Sequence, residues 1–153
     1  MAAGSNVTVF GGGGDDRITL AATAGAGITV FGGDGDDHIR VEAGTGVAAD
    51  GEAGDDELTA ADPTGGQVTL FGGAGADVLA VESGSAVTVF GGTGDDRIAV
   101  GVLAGSDVTV FGGAGDDVLS VAGGTRVTLL GDRGADDLSA VGVSLVTLFG
   151  GAG

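Results

Sequence analysis

The chain alternates. Short stretches place an apolar residue at every second position, with a small or polar residue between, which is the period of a half-buried β-strand. In one type of stretch, Val7 and Val9 face one way while Thr8 and Phe10 face the other. In a second type, Ile18 and Leu20 point inward and Arg17 and Thr19 outward. Nowhere do apolar residues recur at three- and four-residue spacing over helical length, so an all-β chain with no helix is expected.

The two types of stretch recur in a fixed order. The first begins at Val7, Ile28, Val47, Val68, Val87, Val108, Val127 and Val146, and reads VTVF, ITVF, VAAD, VTLF, VTVF, VTVF, VTLL and VTLF. A six-residue turn follows each: GGGGDD, GGDGDD, GEAGDD, GGAGAD, GGTGDD, GGAGDD and GDRGAD, with an eighth reaching Gly153 as GGAG. The second stretch follows each complete turn, and a loop of seven or five residues closes the unit. One such coil cannot bury its apolar side, but stacked coils bury a continuous core. The expectation is a single parallel β-solenoid of about eight coils, 19–21 residues each, roughly 38 Å long at strand spacing. It runs over residues 7–153 without a domain boundary. Residues 1–6 fall outside the repeat and read as a leader or a cloning remnant. Neither a polar cap nor a secretion signal is legible after the last coil.

Composition changes this picture in one respect. Of 153 residues, 36 are Gly and 22 are acidic, against five Arg and no Lys, for a formal net charge of −17. So much Gly would ordinarily signal a floppy chain. Here much of it occupies fixed turn positions. The absence of Cys excludes disulfides and thiolate metal sites. The acidity excludes nucleic acid as a partner and points to cations. No apolar run is long enough for membrane insertion by a helix.

Aligning the turns isolates the chemistry. Gly stands first and fourth in every turn. Asp stands sixth in all seven complete turns: Asp16, Asp37, Asp56, Asp77, Asp96, Asp117 and Asp136. The fifth position is Asp in five of them, namely Asp15, Asp36, Asp55, Asp95 and Asp116, and Ala in two. Stacking in register brings the sixth-position carboxylates within about 5 Å of each other, where like charges repel. Bound cations resolve that repulsion. Glycine lets the turn carbonyls converge as further ligands, and those of Gly12, Gly14, Gly33, Gly35, Gly73, Gly75, Gly92, Gly94, Gly113, Gly115 and Gly151 are the candidates. Carboxylate and carbonyl oxygen with no thiolate is hard-cation chemistry, and flexible six- to eight-fold oxygen coordination favours Ca²⁺ over Mg²⁺. Six or seven ions in one column are expected, cancelling most of the negative charge, with the chain largely unfolded when calcium is removed.

The run Gly11-Gly12-Gly13-Gly14-Asp15-Asp16-Arg17-Ile18-Thr19 resembles GGxGxDxUx, the calcium-binding nonapeptide of the repeats-in-toxin (RTX) family. Well-formed copies recur at 32–40, 72–80, 91–99 and 112–120. Those at 51–59 and 131–139 depart at the second position, with Glu52 and Asp132. The resemblance implies a parallel β-roll, with Ca²⁺ held between turns of adjacent coils, in a bacterial protein that is secreted and folds on meeting extracellular calcium. This chain departs from the family's usual arrangement, in which both edges of the roll bind calcium. It carries one GGxGxD turn per coil, and the opposite loops, such as ADPTGGQ and GVLAGSD, show no recurring acid.

Other readings are weaker. GGxG after a strand lacks the helix of a dinucleotide site, and the ligand spacing around Asp34 is wrong for an EF-hand. The lone His38 occupies the position of Arg17 and Arg97 and reads as a surface residue, and no constellation for catalysis is apparent, so the chain is read as a non-enzyme. A column of Thr residues, interrupted at Ala48, makes ice binding an alternative. Phe10, Phe31, Phe71, Phe90, Phe111 and Phe149 are expected to stack beside the turns, the alternative being an exposed stripe for self-association or glycan stacking. Functionally, the leading expectation is a calcium-binding rod or adhesin-like spacer at the bacterial surface. The alternatives are the C-terminal β-roll of a secreted toxin or hydrolase, and an extracellular filament assembled end to end.

Overall fold

The computed structural model describes residues 6–21, 27–61, 66–101 and 106–153, and among these it contains strands and no helix. Each first stretch becomes a long strand: β1 (Val7–Gly13), β3 (Gly27–Asp34), β5 (Gly46–Ala53), β7 (Gln67–Ala74), β9 (Ala86–Thr93), β11 (Asp107–Ala114), β13 (Arg126–Arg133) and β15 (Leu145–Phe149). Each second stretch becomes a short one: β2 (Arg17–Leu20), β4 (His38–Val41), β6 (Glu57–Ala60), β8 (Val78–Val81), β10 (Arg97–Val100), β12 (Val118–Ala122) and β14 (Asp137–Val141). The odd strands form one sheet in sequence order and the even strands a second. Every pairing is parallel, for example Val68 beside Val87 and Leu79 beside Ile98. The protein is an all-β, parallel β-solenoid, as the repeat requires.

Alternation decides the core. In β3 and β4, Ile28, Val30, Ile39 and Val41 are buried between the sheets, while Thr29 and Phe31 lie on the outer face. Equivalent residues repeat coil by coil, so the core is a column of Val, Leu and Ile, each over its counterpart. The third coil is thinner, contributing Ala49 and Ala60 at positions where its neighbours supply Val or Leu. The alternation of 21 and 19 residues does not disturb register. Val7 pairs with Ile28 and Ile28 with Val47, so the extra residues are absorbed outside the strands. Much of the longer loops, ADPTGGQ and GVLAGSD included, lies outside the described residues, as do residues 1–5 of the expected leader.

The long strands continue into the turn. Their ladders skip the first turn position and resume at the second and third, as in Phe71 beside Phe90 and then Gly73 beside Gly92. The turns are therefore stacked in hydrogen-bonded register too. The Phe residues stack as expected: Phe10 on Phe31 with centroids 5.1 Å apart, Phe71 on Phe90 at 4.9 Å, and Phe90 on Phe111 at 4.8 Å. Asp50 and Leu130 interrupt the ring column.

Backbone conformation explains the turn's composition. The second and fourth positions carry positive φ, 120° and 139° at Gly73 and Gly75. A φ that far into the positive region is open to Gly alone. The two copies that depart from glycine do so at the second position, where φ drops to 75° at Glu52 and 74° at Asp132, inside the small left-handed region that other residues tolerate at a cost. The fourth position is never substituted. Because a left-handed side-chain-bearing residue is strained by ~1–2 kcal/mol, Glu52→Gly is expected to raise stability by about 1 kcal/mol. Urea unfolding of calcium-loaded protein checks this; an unchanged or lower midpoint would contradict it.

Candidate metal centre

The sixth-position carboxylates turn inward. Asp37, Asp56, Asp77, Asp96 and Asp117 are buried, all five at no more than 2 % exposure, while Asp16 and Asp136 in the outer coils are half-buried. One oxygen of each interior carboxylate is spoken for by the neighbouring coil. Asp37 Oδ1 accepts the Asp16 N–H at 2.8 Å, Asp56 Oδ1 that of Asp37 at 2.7 Å, and Asp77 Oδ1 that of Asp56 at 2.8 Å. The ladder continues through Asp96, Asp117 and Asp136 at 2.8, 2.8 and 3.0 Å.

The second oxygen has no partner. Oδ2 of Asp37, Asp56, Asp77, Asp96, Asp117 and Asp136 is buried and accepts no hydrogen bond. Leaving a buried charged acceptor unsatisfied is costly, more so than the ~1–3 kcal/mol of a neutral one. Six in a row is the mark of a missing positive partner. No protein cation supplies it: the ion pairs among the described residues, His38–Glu57, Arg40–Glu42 and Arg126–Asp107, all lie elsewhere.

The space in front of each orphan oxygen is kept open by the first glycine of the turn. A Cβ placed on Gly51 would collide with Asp56 Oδ2 and sit 2.6 Å from the Gly72 carbonyl oxygen. On Gly112 it would collide with Asp117 Oδ2 and sit 2.8 Å from Gly131 O. The same pair, a carboxylate oxygen from one turn and a first-position carbonyl from the next, faces Gly11, Gly32, Gly72, Gly91 and Gly131. These glycines do not have positive φ, so they are required for space and not for conformation. A cation fits the resulting cradle: it would supply the positive charge that the carboxylate column lacks, and its oxygen-only surroundings suit Ca²⁺. No cluster of three or more His, Cys, Asp or Glu side chains occurs among the described residues, so carbonyls would provide most of the ligands.

The sixth-position carboxylates expected from the sequence are thus turned inward, beside first-position carbonyls that the sequence did not single out. The signal was present, since Gly opens every turn, but only the Oδ2 contact shows what that Gly is for. The carbonyls named from sequence sit differently. Those of Gly73 and Gly75 lie against Gly92 and Gly94 of the next coil. The fifth-position carboxylates are exposed, and each secures the next turn from outside: Asp15 Oδ1 accepts the Asp36 N–H at 3.1 Å, Asp36 Oδ1 that of Asp55 at 2.9 Å, and Asp55 Oδ1 that of Ala76 at 2.8 Å. Asp95 and Asp116 do the same for Asp116 and Ala135.

Burial drives four of the inner carboxylates, Asp56, Asp77, Asp96 and Asp117, toward their neutral form. Asp96 is pushed up to about 7 and Asp56 to about 6, mainly by desolvation, partly offset by the backbone N–H each accepts and reinforced by neighbouring carboxylates. Asp77 and Asp117 are raised for the same first reason.

Stacked glycine-rich turns over a buried, cation-seeking carboxylate column define a calcium-binding β-roll. The family model of the RTX calcium-binding nonapeptide repeat matches residues 1–22, 23–47, 64–87, 83–101 and 104–127. These spans cover well over half of the chain, which belongs to that family of calcium-binding repeats. They leave out the turns that carry Glu52 and Asp132, the two second-position departures. No curated protein and no solved structure matches the chain.

The raised carboxylates set a pH dependence. Their folded-state pKa lies above the unfolded value, so their contribution favours folding below pH 4 and is lost as pH rises toward 7. In excess chelator, the folded fraction should be larger at pH 5 than at pH 7.5. In millimolar calcium the order should reverse, because protons displace the ion. Circular dichroism at the two pH values, with and without calcium, checks both; calcium-free stability that rises across this window would contradict the account.

Proposed function

We propose that this chain is a calcium-dependent structural module of a secreted or cell-surface bacterial protein: a non-catalytic spacer that is unfolded where calcium is scarce and becomes a rigid rod where it is abundant. The observation that carries this reading is the row of buried carboxylate oxygens without partners. Such a column opposes folding until cations neutralise it, so ion binding and folding become one equilibrium. Family membership supports the calcium, and an extracellular setting supplies it at the concentrations such a switch needs.

The ligands in this reading are Oδ2 of Asp16, Asp37, Asp56, Asp77, Asp96, Asp117 and Asp136, with turn carbonyls, led by those of the first-position glycines. The ions form a single column, six or seven in number, on the GGxGxD edge alone. The fifth-position carboxylates act as clamps on the backbone, outside the column.

Two measurements test this. Titrating calcium into chelator-treated protein should bring up β-sheet ellipticity cooperatively, whereas full ellipticity in excess chelator would refute the coupling. Asp96→Asn removes one buried charge while keeping an oxygen for the Asp77 N–H. It should stabilise the calcium-free chain, lower the number of ions bound at saturation, and raise the calcium midpoint severalfold. A variant indistinguishable from the parent in calcium would place the ions elsewhere.

A further inference from the structure

The Phe column has a gap, and the gap is chemically marked. In the third coil the first stretch reads Val47-Ala48-Ala49-Asp50. Register places Asp50 between Phe31 and Phe71, where an unbroken column would carry a ring. Elsewhere the rings of adjacent coils stack nearly parallel, 3° and 8° apart in tilt and 4.8–5.1 Å between centroids. With one ring missing, Phe31 and Phe71 stand two steps of that ladder apart. The same coil replaces the outer-face Thr with Ala48, which lowers the outer surface beside the gap, and on the opposite, core-facing side a Val or Leu with Ala49.

The result is a cleft of about 130 Å³ lined by Thr29, Val30, Phe31, Ala48, Ala49, Asp50 and Phe71. That is close to the ~150 Å³ of a cavity that takes up a single benzene ring. Its walls are a ring at each end and its floor is alanine. Its surface is almost wholly apolar, and the one charged residue beside it is Asp50, whose carboxylate is half-buried, with Oδ1 accepting the Glu52 N–H at 3.2 Å and no ion pair to any cation among the described residues. Leu130, which interrupts the column in the seventh coil, keeps that position apolar and offers no such charge.

We propose that this cleft is a binding site for a small flat aromatic cation, inserted between Phe31 and Phe71 in place of the missing ring, with its positive group on Asp50. Three features converge on that ligand class. The spacing admits one planar group in contact with a ring on each face. Phe faces attract cations, and more strongly when the pair is desolvated. The carboxylate selects positive over negative charge at the only place in the column where a charged side chain stands between two rings. The site is separate from the calcium column, whose carboxylates point into the roll, and it does not depend on which cation fills that column.

Benzamidinium is the probe, with benzoate as a control of the same shape and opposite charge, both added to calcium-saturated protein. Binding is read by shifts of the Phe31 and Phe71 ring resonances and by calorimetry. Benzamidinium should move both rings and saturate at one equivalent, and benzoate should move neither. Asp50→Phe restores the repeat's own residue, closes the stack and should abolish the shifts while the roll remains folded. Asp50→Asn keeps the shape of the cleft and should weaken binding at least tenfold. The proposal is overturned if benzamidinium leaves both rings unmoved, if benzoate binds as well, or if Asp50→Phe binds benzamidinium like the parent. The last result would reveal diffuse attraction to an acidic surface.

Discussion

Parallel stacking in register sets every residue over its counterpart in the coil below. For Val30 or Leu79 that is an advantage, since identical apolar side chains pack into one continuous core. For a buried carboxylate it is a liability, since it multiplies one unfavourable burial by the number of coils. This roll contains both columns, back to back. The apolar one is satisfied by the chain itself. The carboxylate one is satisfied by half, through the Oδ1 ladder, while its Oδ2 half meets no hydrogen-bond donor among the described residues. The rest of the turn follows from that requirement. The first glycine leaves room, the second and fourth allow a backbone path closed to other residues, and the fifth-position carboxylates secure each turn to the next from the solvent side.

Much of this was legible in the sequence because the repeat turns one weak signal into many. A single alternating stretch such as VTVF is ambiguous, but eight in phase dictate a parallel stack, and the structure has that stack with the expected residues inside. The sixth-position Asp was legible for the same reason. The division of labour between its two oxygens was not, because hydrogen bonding to the adjacent coil depends on backbone direction in the turn, which spacing does not encode. The role of Gly51 or Gly91 was hidden for a related reason. Glycine usually announces unusual φ, and these glycines have ordinary φ; only the carboxylate packed against them explains why no side chain fits.

The irregular copies are as informative as the regular ones. Glu52 and Asp132 occupy the one glycine position whose φ can relax to a value other residues reach, which is why variation appears there and not at the fourth position. Glu52 also sits in the third coil, where Ala48, Ala49, Asp50 and Ala60 all depart from the pattern of their neighbours. That coil keeps its strand register and its Asp56 column member while losing bulk on both sides of the sheet. A repeat architecture tolerates this because each coil needs only its two neighbours, and local losses do not propagate.

We propose the column of inward carboxylates as a column of ligands. Anomalous diffraction from calcium-loaded crystals tests it most directly, because the signal comes from the ion and not from the chain. One line of anomalous peaks is expected along the GGxGxD edge, one between each pair of stacked turns, at the ~2.3–2.6 Å from Asp Oδ2 that calcium bonds require. Peaks confined to the exposed fifth-position carboxylates, or to the opposite edge of the roll, with the Oδ2 atoms still without partners, would contradict it.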